Sequence, residues 1–151
     1  MERVRYQLRS ATDEDYDFFY RLQVAAMKEY VTQTYGWDDA VQERYLRRKF
    51  DEREHRIIVV EGRDVGVLEI DQMENEVALV NIQIMPAYQR QGVGTTVIRD
   101  VLADASRKGL PTTLWVMKVN PAKELYERLG FEVVEETSTH YRMEAADGRH
   151  E

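Results

Sequence analysis

The sequence predicts a mixed α/β fold: a central, mostly antiparallel sheet of about seven strands with about four helices. Three observations carry it. Short runs rich in β-branched residues lie at 56–60, 65–70 and 77–85, and apolar residues recur at helical spacing on either side of them. A glycine loop, Gln89-Arg90-Gln91-Gly92-Val93-Gly94-Thr95, then joins the last of those strands to a helix, which gives the sheet a parallel connection.

Taken in order, residues 4–9 alternate as a strand does. Thr12 precedes the acidic turn Asp13, Glu14, Asp15, which suits a helix N-terminus. Phe19, Leu22 and Ala26 follow at helical spacing, so the first helix should run to about Tyr30. Gly36 interrupts the pattern, Asp38 or Asp39 caps a second helix, and Val41, Tyr45 and Phe50 mark its buried side. Residues 56–60 and 65–70 form a hairpin across Glu61-Gly62-Arg63-Asp64.

In the strand over 77–85, Ala78, Val80, Ile82 and Ile84 form an apolar face directed at the core. On the other side Val77 and Leu79 give way to Asn81 and Gln83. Polarity thus appears at the carboxyl end, where α/β sheets place ligands, or where a strand simply emerges into solvent. The helix after the glycine loop carries Val97, Val101, Leu102 and Ala105 and ends at Arg107, Lys108, Gly109 and Pro111. Residues 112–119 form a strand parallel to 77–85. Asn120 and Pro121 start a short fourth helix that Gly130 stops, with Glu124 and Arg128 able to pair along it. Residues 131–135 and 140–143 close the sheet, and 145–151 read as a frayed tail. The length, 151 residues, fits one domain over 1–151.

Lys plus Arg number 21 against 28 Asp plus Glu, a net charge of −7, which disfavours nucleic acid as a partner and modestly favours cationic substrates such as amines. With no cysteine, disulfides, thiolate metal sites and a cysteine nucleophile are excluded. His55, His140 and His150 stand apart with no ligand spacing, so no metal is expected and each reads as a surface or locally hydrogen-bonded histidine. No segment has the length and apolarity of a membrane span, so the expectation is a cytoplasmic protein without a membrane partner. A homodimer is compatible with these observations.

Strand, glycine turn and helix N-terminus together read as an anion site, because unpaired backbone N–H groups converge there and the helix dipole adds roughly half a positive charge, or else as a plain tight turn before a helix. No Lys follows Gly94, which excludes the G-x-x-x-x-G-K-[ST] phosphate loop, and Val97 stands where a dinucleotide fingerprint needs its third glycine. ATP and NAD are therefore not the natural ligands.

Gln89-x-x-Gly92-x-Gly94, after a strand ending Ile84-Met85-Pro86 and before Asn120-Pro121-Ala122-Lys123-Glu124-Leu125-Tyr126-Glu127-Arg128-Leu129-Gly130-Phe131, resembles the GNAT acyltransferase family over nearly the whole chain. The resemblance implies a three-layer fold and an N-acetyltransferase that moves an acetyl group from acetyl-CoA to a primary amine by direct attack. Backbone N–H groups over Arg90, Gln91, Gly92, Val93, Gly94 and Thr95 would cradle the CoA diphosphate. The backbone of Ile82, Gln83 and Ile84 would pair with the pantetheine arm, and backbone donors would meet the oxyanion. Arg90 and Lys123 are candidates for the CoA phosphates, or else solvated cations near a helix start. Asn120 lies one residue nearer Tyr126 than the family pattern has it, so it is a helix cap or a CoA contact.

Transfer to an amine also needs a base and an acid. By resemblance Tyr126 is the general acid for the departing thiolate; the plain alternative is a core-facing tyrosine. Glu69, on the side of its strand shared with Val65 and Val67, is the first candidate base, or else an exposed edge carboxylate. Asn81 and Gln83 could hold a water instead. Tyr30, Tyr35 and Trp37 surround Gly36 in what reads as a loop, either lining the acceptor site or anchoring that loop to the core. A catalytically idle acyl-CoA-binding or sensing module is the alternative function.

Overall fold

The computed structural model describes residues 3–146. Its elements are β1 (Gln7–Ser10), α1 (Tyr16–Tyr35), α2 (Asp39–Glu52), β2 (Arg56–Val60), β3 (Arg63–Gln72), β4 (Val77–Ile84), α3 (Val93–Arg107), β5 (Thr112–Met117), α4 (Ala122–Arg128), β6 (Glu132–Glu136) and β7 (His140–Ala145), with 3-10 turns at Asp13–Asp15 and Pro86–Tyr88. The strands form a seven-stranded mixed sheet of order β1-β2-β3-β4-β5-β7-β6. β4 and β5 are parallel; β1/β2, β2/β3, β5/β7 and β6/β7 are antiparallel. The class predicted from the sequence, and the parallel neighbour of the 77–85 strand, are both present. Among the described residues no helix is long and apolar enough to cross a membrane. The chain divides into two compact units, Met1–Glu69 with Asn81–Gly94, and Ile70–Val80 with Thr95–Glu151.

In the first unit, α1 and α2 bury Phe19, Leu22, Leu46 and Phe50 against Ile57 and Val67. Full burial of each such side chain stabilises by about 1.5–3 kcal/mol. The first strand starts at Gln7, later than the predicted Val4. Asp13–Asp15 is a 3-10 turn, held by the Thr12 N–H donating to Asp15 Oδ2 at 2.8 Å, and α1 begins only at Tyr16. Arg9 links Asp15 (2.8 Å) and Asp64 (3.0 Å). α1 continues to Tyr35, past the predicted end at Tyr30, because nothing before Gly36 breaks it; the Gly36 N–H closes the last turn on the Thr32 carbonyl at 3.0 Å.

Asp38 caps α2 by accepting from the Val41 N–H at 3.0 Å. The buried face of α2 differs from the prediction. Leu46 and Phe50, one turn apart, are buried, whereas Val41 is 49% and Tyr45 47% exposed. Tyr45 is rotated by about 100° from Leu46, enough to leave the core side. The β2–β3 turn is also tighter than predicted. Glu61 and Gly62, at φ 51° and 77°, make a two-residue turn, so Arg63 and Asp64 already belong to β3. The register then shifts at Ile58/Val59, leaving Val65 as the extra residue of a bulge.

In the second unit, Val77 packs with Val101 and Ala105 of α3 and with Ile70 and Leu110. That contact reverses the predicted faces of β4: Val77, Leu79 and Asn81 are buried, and Val80 is 41% exposed. Apolar residues on both faces of the strand left the choice to whichever face the helix covers. α3 ends in a Schellman motif, with Leu110 N–H on the Ala105 carbonyl (3.0 Å) and Gly109 N–H on that of Ser106 (2.9 Å). β5 stops at Met117, short of the predicted Val119, where the Asn120 N–H turns back to the Met117 carbonyl at 3.0 Å. α4 begins at Ala122 with Pro121 at its cap position, and its i,i+4 ion pair is Lys123–Glu127 at 3.1 Å. β7 lies between β5 and β6 and includes Ala145, which pairs with Thr112; the predicted tail therefore starts too early. The rest of that tail, from 147 and including His150, lies outside the described residues.

Candidate active site

The glycine loop follows the Pro86–Tyr88 turn in the first unit. Two glutamines shape it: Gln89 Nε2 donates to the Ile84 carbonyl at 2.9 Å and Gln91 Nε2 to that of Ala87 at 3.1 Å. Arg90 and Gly92 both take left-handed backbone angles, φ 65° and 87°. Alternation of this kind turns successive N–H groups toward one side, the geometry of an anion-binding nest. α3 starts directly at Val93, so the amides of its first turn have no intrahelical acceptor, and its 15 residues supply the dipole. The Arg90 and Gln91 residues are exposed, Gly94 and Thr95 half-buried, and Gly92 and Val93 buried.

The two glycines differ in what the backbone asks of them. Gly92 needs its positive φ; Gly94 does not, and a Cβ there would meet only Ile84 Cγ1 at 3.7 Å, an ordinary contact. A third glycine, which the sequence did not single out, is the most constrained. A Cβ on Gly66 would lie 2.5 Å from the Gln83 carbonyl oxygen and 2.9 Å from Ile84 Cδ1, so β3 can approach the 82–84 segment only without one. Ile82, Gln83 and Ile84 are half-buried. Gln83 Nε2 donates to Asn81 Oδ1 at 3.0 Å, while the buried Asn81 Nδ2 has no partner among the described residues.

Glu69 is 2% exposed, which overturns its reading as an exposed edge carboxylate. Oε1 lies 3.2 Å from His55 Nε2 and Oε2 3.3 Å from Arg53 Nε. The bulge sets this meeting: with Arg56 opposite Leu68, the next register position puts His55 opposite Glu69. His55 is buried, not at the surface. Its ring lies between Phe19 and Phe50, with centroids at 5.0 and 5.4 Å, and Nδ1 faces the Arg53 carbonyl at 3.0 Å. Arg53, His55, Ser10 and Thr12 line a cavity of about 470 Å³.

The segment predicted as an aromatic loop is largely helical. Tyr30 and Tyr35 are both α1 residues, five positions and hence about 140° apart around the axis, and Tyr35 is 64% exposed. Trp37 follows Gly36, with Nε1 donating to Asp39 Oδ1 at 2.7 Å and Lys28 Nζ 5.4 Å from its ring.

In the second unit, Asn120 Oδ1 accepts from the Ala122 N–H at 2.9 Å, taking up the first amide of α4 from one residue before its cap position. Tyr126 is half-buried, edge-on to Phe131 at 5.8 Å, and burial pushes its phenol up to about 12. The group is thus a proton donor throughout the neutral range. Among the described residues no side chain or backbone group hydrogen-bonds its hydroxyl. Lys123 Nζ lies 5.0 Å from the ring centroid of Tyr141. No group of three or more His, Asp or Glu among the described residues could hold a metal ion.

The seven-stranded mixed sheet, with β4 and β5 parallel, thus carries a left-handed loop after β4 that opens α3. The family model described as "Acetyltransferase (GNAT) domain" matches residues 18–143, and the chain belongs to that family. Ribosomal protein bS18-alanine N-acetyltransferase of Haemophilus influenzae is 31% identical over 101 residues, a match spanning 66% of this chain and 63% of that relative. Among solved structures, PaiA N-acetyltransferase of Thermoplasma acidophilum, in complex with coenzyme A, superposes with a TM-score of 0.74 at 16% identity, covering 95% of this chain and 99% of that one. The ribosomal-protein-S18-alanine N-acetyltransferase of Escherichia coli gives 0.66 at 19% identity, covering 94% of each chain. At such identities the structural likeness shows the fold.

Proposed function

We propose that this chain is an N-acetyltransferase that passes the acetyl group of acetyl-CoA to a primary amine, and that both compact units serve one catalytic domain. The observation that carries the reading is the loop from Gln89 to Gly94. Two left-handed residues and a following helix start offer backbone donors to a diphosphate, in a chain whose family transfers acetyl groups.

The roles follow from chemistry. An alkyl amine with pKa near 10 is about one part in a thousand neutral at pH 7, a deficit of about 4 kcal/mol that a base or water must manage. Asn81, with a buried and unpartnered Nδ2 beside Gln83, is suited to hold that water. The amine attacks the thioester carbonyl, backbone amides of β4 stabilise the oxyanion, and Tyr126 protonates the departing CoA sulfur. The 82–84 backbone pairs with the pantetheine arm, and Arg90 and Lys123 meet its phosphates. A protein amine is the first acceptor to assay, since the Haemophilus influenzae relative is named as an N-acetyltransferase of an alanine of ribosomal protein bS18.

The commitment of Glu69 to His55 and Arg53 favours a second reading, an acyl-CoA-binding module without turnover. Release of thiol from acetyl-CoA, followed over a panel of peptides and amines, separates the two. Because the chain has no cysteine, the assay has no background from the protein. Binding without thiol release from any acceptor would favour the module; absence of CoA binding would end both readings.

A further inference from the structure

We propose that the uncovered face of β5, β7 and β6 is a docking surface for an arginine-rich segment of a partner protein, anchored on Trp115. The proposal concerns the second unit alone and is independent of the acetyl-CoA reading above.

Cross-strand partners share a face of a sheet, so the register assigns it. Trp115 of β5 lies opposite Arg142 of β7, which lies opposite Glu135 of β6; in the neighbouring row on that face Thr113, Glu144 and Glu132 follow in the same order. The residues that alternate with these, Leu114, Val116 and Met143, are buried, so the core lies on the other face. Ala78, opposite Thr113 in the parallel pair, brings Val80 to the same side as Trp115. Trp115 is 50% and Val80 41% exposed. β5 is interior to the sheet, and parallel pairs such as β4/β5 are ordinarily covered on both faces. An indole half in water at that position marks a layer that the described residues do not supply.

The charges around it select the occupant. Glu76, Glu132, Glu135 and Glu144 stand on this face against a single guanidinium, that of Arg142. Glu76 accepts from Thr113 Oγ1 at 2.5 Å and lies 3.3 Å from Arg142, which reaches Glu144 at 3.9 Å. Glu132 and Glu144 sit directly opposite each other, a like-charge pair that destabilises a ladder. Among the described residues neither Glu132 nor Glu135 has an ion-pair partner. A cation supplied from outside relieves the repulsion. Arginine fits better than lysine, because a planar guanidinium stacks on an indole and forks onto a carboxylate. A second copy of this face would set its own carboxylates against these, and a nucleic acid its phosphates; both are repelled.

The test uses the full chain carrying Trp37→Phe, in which Trp115 is the only tryptophan. The probes are three peptides of equal length that alternate alanine with arginine, lysine or glutamate. The arginine peptide should change Trp115 emission saturably and bind several-fold tighter than the lysine peptide, while the glutamate peptide should not bind. By calorimetry, Glu132→Gln/Glu135→Gln and Trp115→Ser, each folded at the assay temperature by its melting curve, should weaken binding of the arginine peptide by about tenfold or more. Absence of saturable binding, equal affinity for any two of the peptides, or binding that survives both sets of substitutions would overturn the proposal. So would a dimer in sedimentation that Trp115→Ser disperses, since a second copy would then be the occupant. CoA enters none of these measurements, so their outcome is separate from that of the acetyltransferase reading.

Discussion

At Gly94 the protein has room for a methyl group and no need of a left-handed backbone. Gly94→Ala is therefore a substitution that the fold should accept, raising stability by up to about 1 kcal/mol through helix propensity. If the first-turn amides hold the diphosphate, the same change should weaken CoA binding at least several-fold. A melting curve and a calorimetric Kd on one variant read the two effects apart. Tyr126→Phe should lower kcat by about 10²-fold with KM little changed. Since burial pushes the phenol up to about 12, the acid form persists until pH approaches that value, and Tyr126 should impose no alkaline loss of kcat below about pH 11. An early alkaline limb that disappears in the phenylalanine variant would contradict the assignment. For Glu69→Gln, the carboxylate's ties to His55 and Arg53 predict a stability loss of about 1–3 kcal/mol. A pH profile of transfer that does not move would remove Glu69 as a base.

Among the elements, the approach of β3 to β4 depends on Gly66. Because the atom that a Cβ would strike is the Gln83 backbone oxygen, the clash cannot be relieved by a side-chain rotation. Gly66→Ala should cost about 1–3 kcal/mol and shift the 82–84 segment, lowering CoA affinity as well as melting temperature. Retention of both would mean that β4 yields at that point without consequence. The meeting of His55 with Glu69 also lives at this scale. The two-residue turn at Glu61-Gly62 was half legible, since the sequence shows a glycine turn, but Val65 as a bulge was not. Without the bulge every later partner along β2 and β3 moves by one residue and the side chains change face.

Over the whole molecule, the acidic composition makes low pH the informative stress. Arg9 holds the Asp15 carboxyl below its ordinary range, chiefly by hydrogen bonding and with the Thr12 N–H adding to it. A depressed folded-state pKa means a contribution that is fully present above the unfolded value of about 3.9 and is lost as pH falls through the lower folded value. Stability should therefore decline below about pH 4, and Asp15→Asn, at a loss of about 2 kcal/mol at neutral pH, should flatten that decline. An unchanged acid midpoint in chemical denaturation would show that this cluster does not govern acid unfolding.

What the amino-acid sequence determined alone is what local chemistry controls. Strand and helix order, the parallel connection through α3, the Gly109 stop and the glycine loop before α3 are each encoded within a few residues, by periodicity, caps and turn formers. The family, too, was readable from the Gln89–Gly94 loop and the run from Asn120 to Phe131. Only tertiary structure decided which apolar face of β4 met a helix, that α2 buries Leu46 in place of Tyr45, and that Glu69 is enclosed by Arg53 and His55. Trp115, Glu132, Glu135 and Glu144 likewise came to one face only through the sheet. Such outcomes depend on strand register and on packing between segments distant in sequence, where one residue of slip changes every neighbour and no local propensity records the choice.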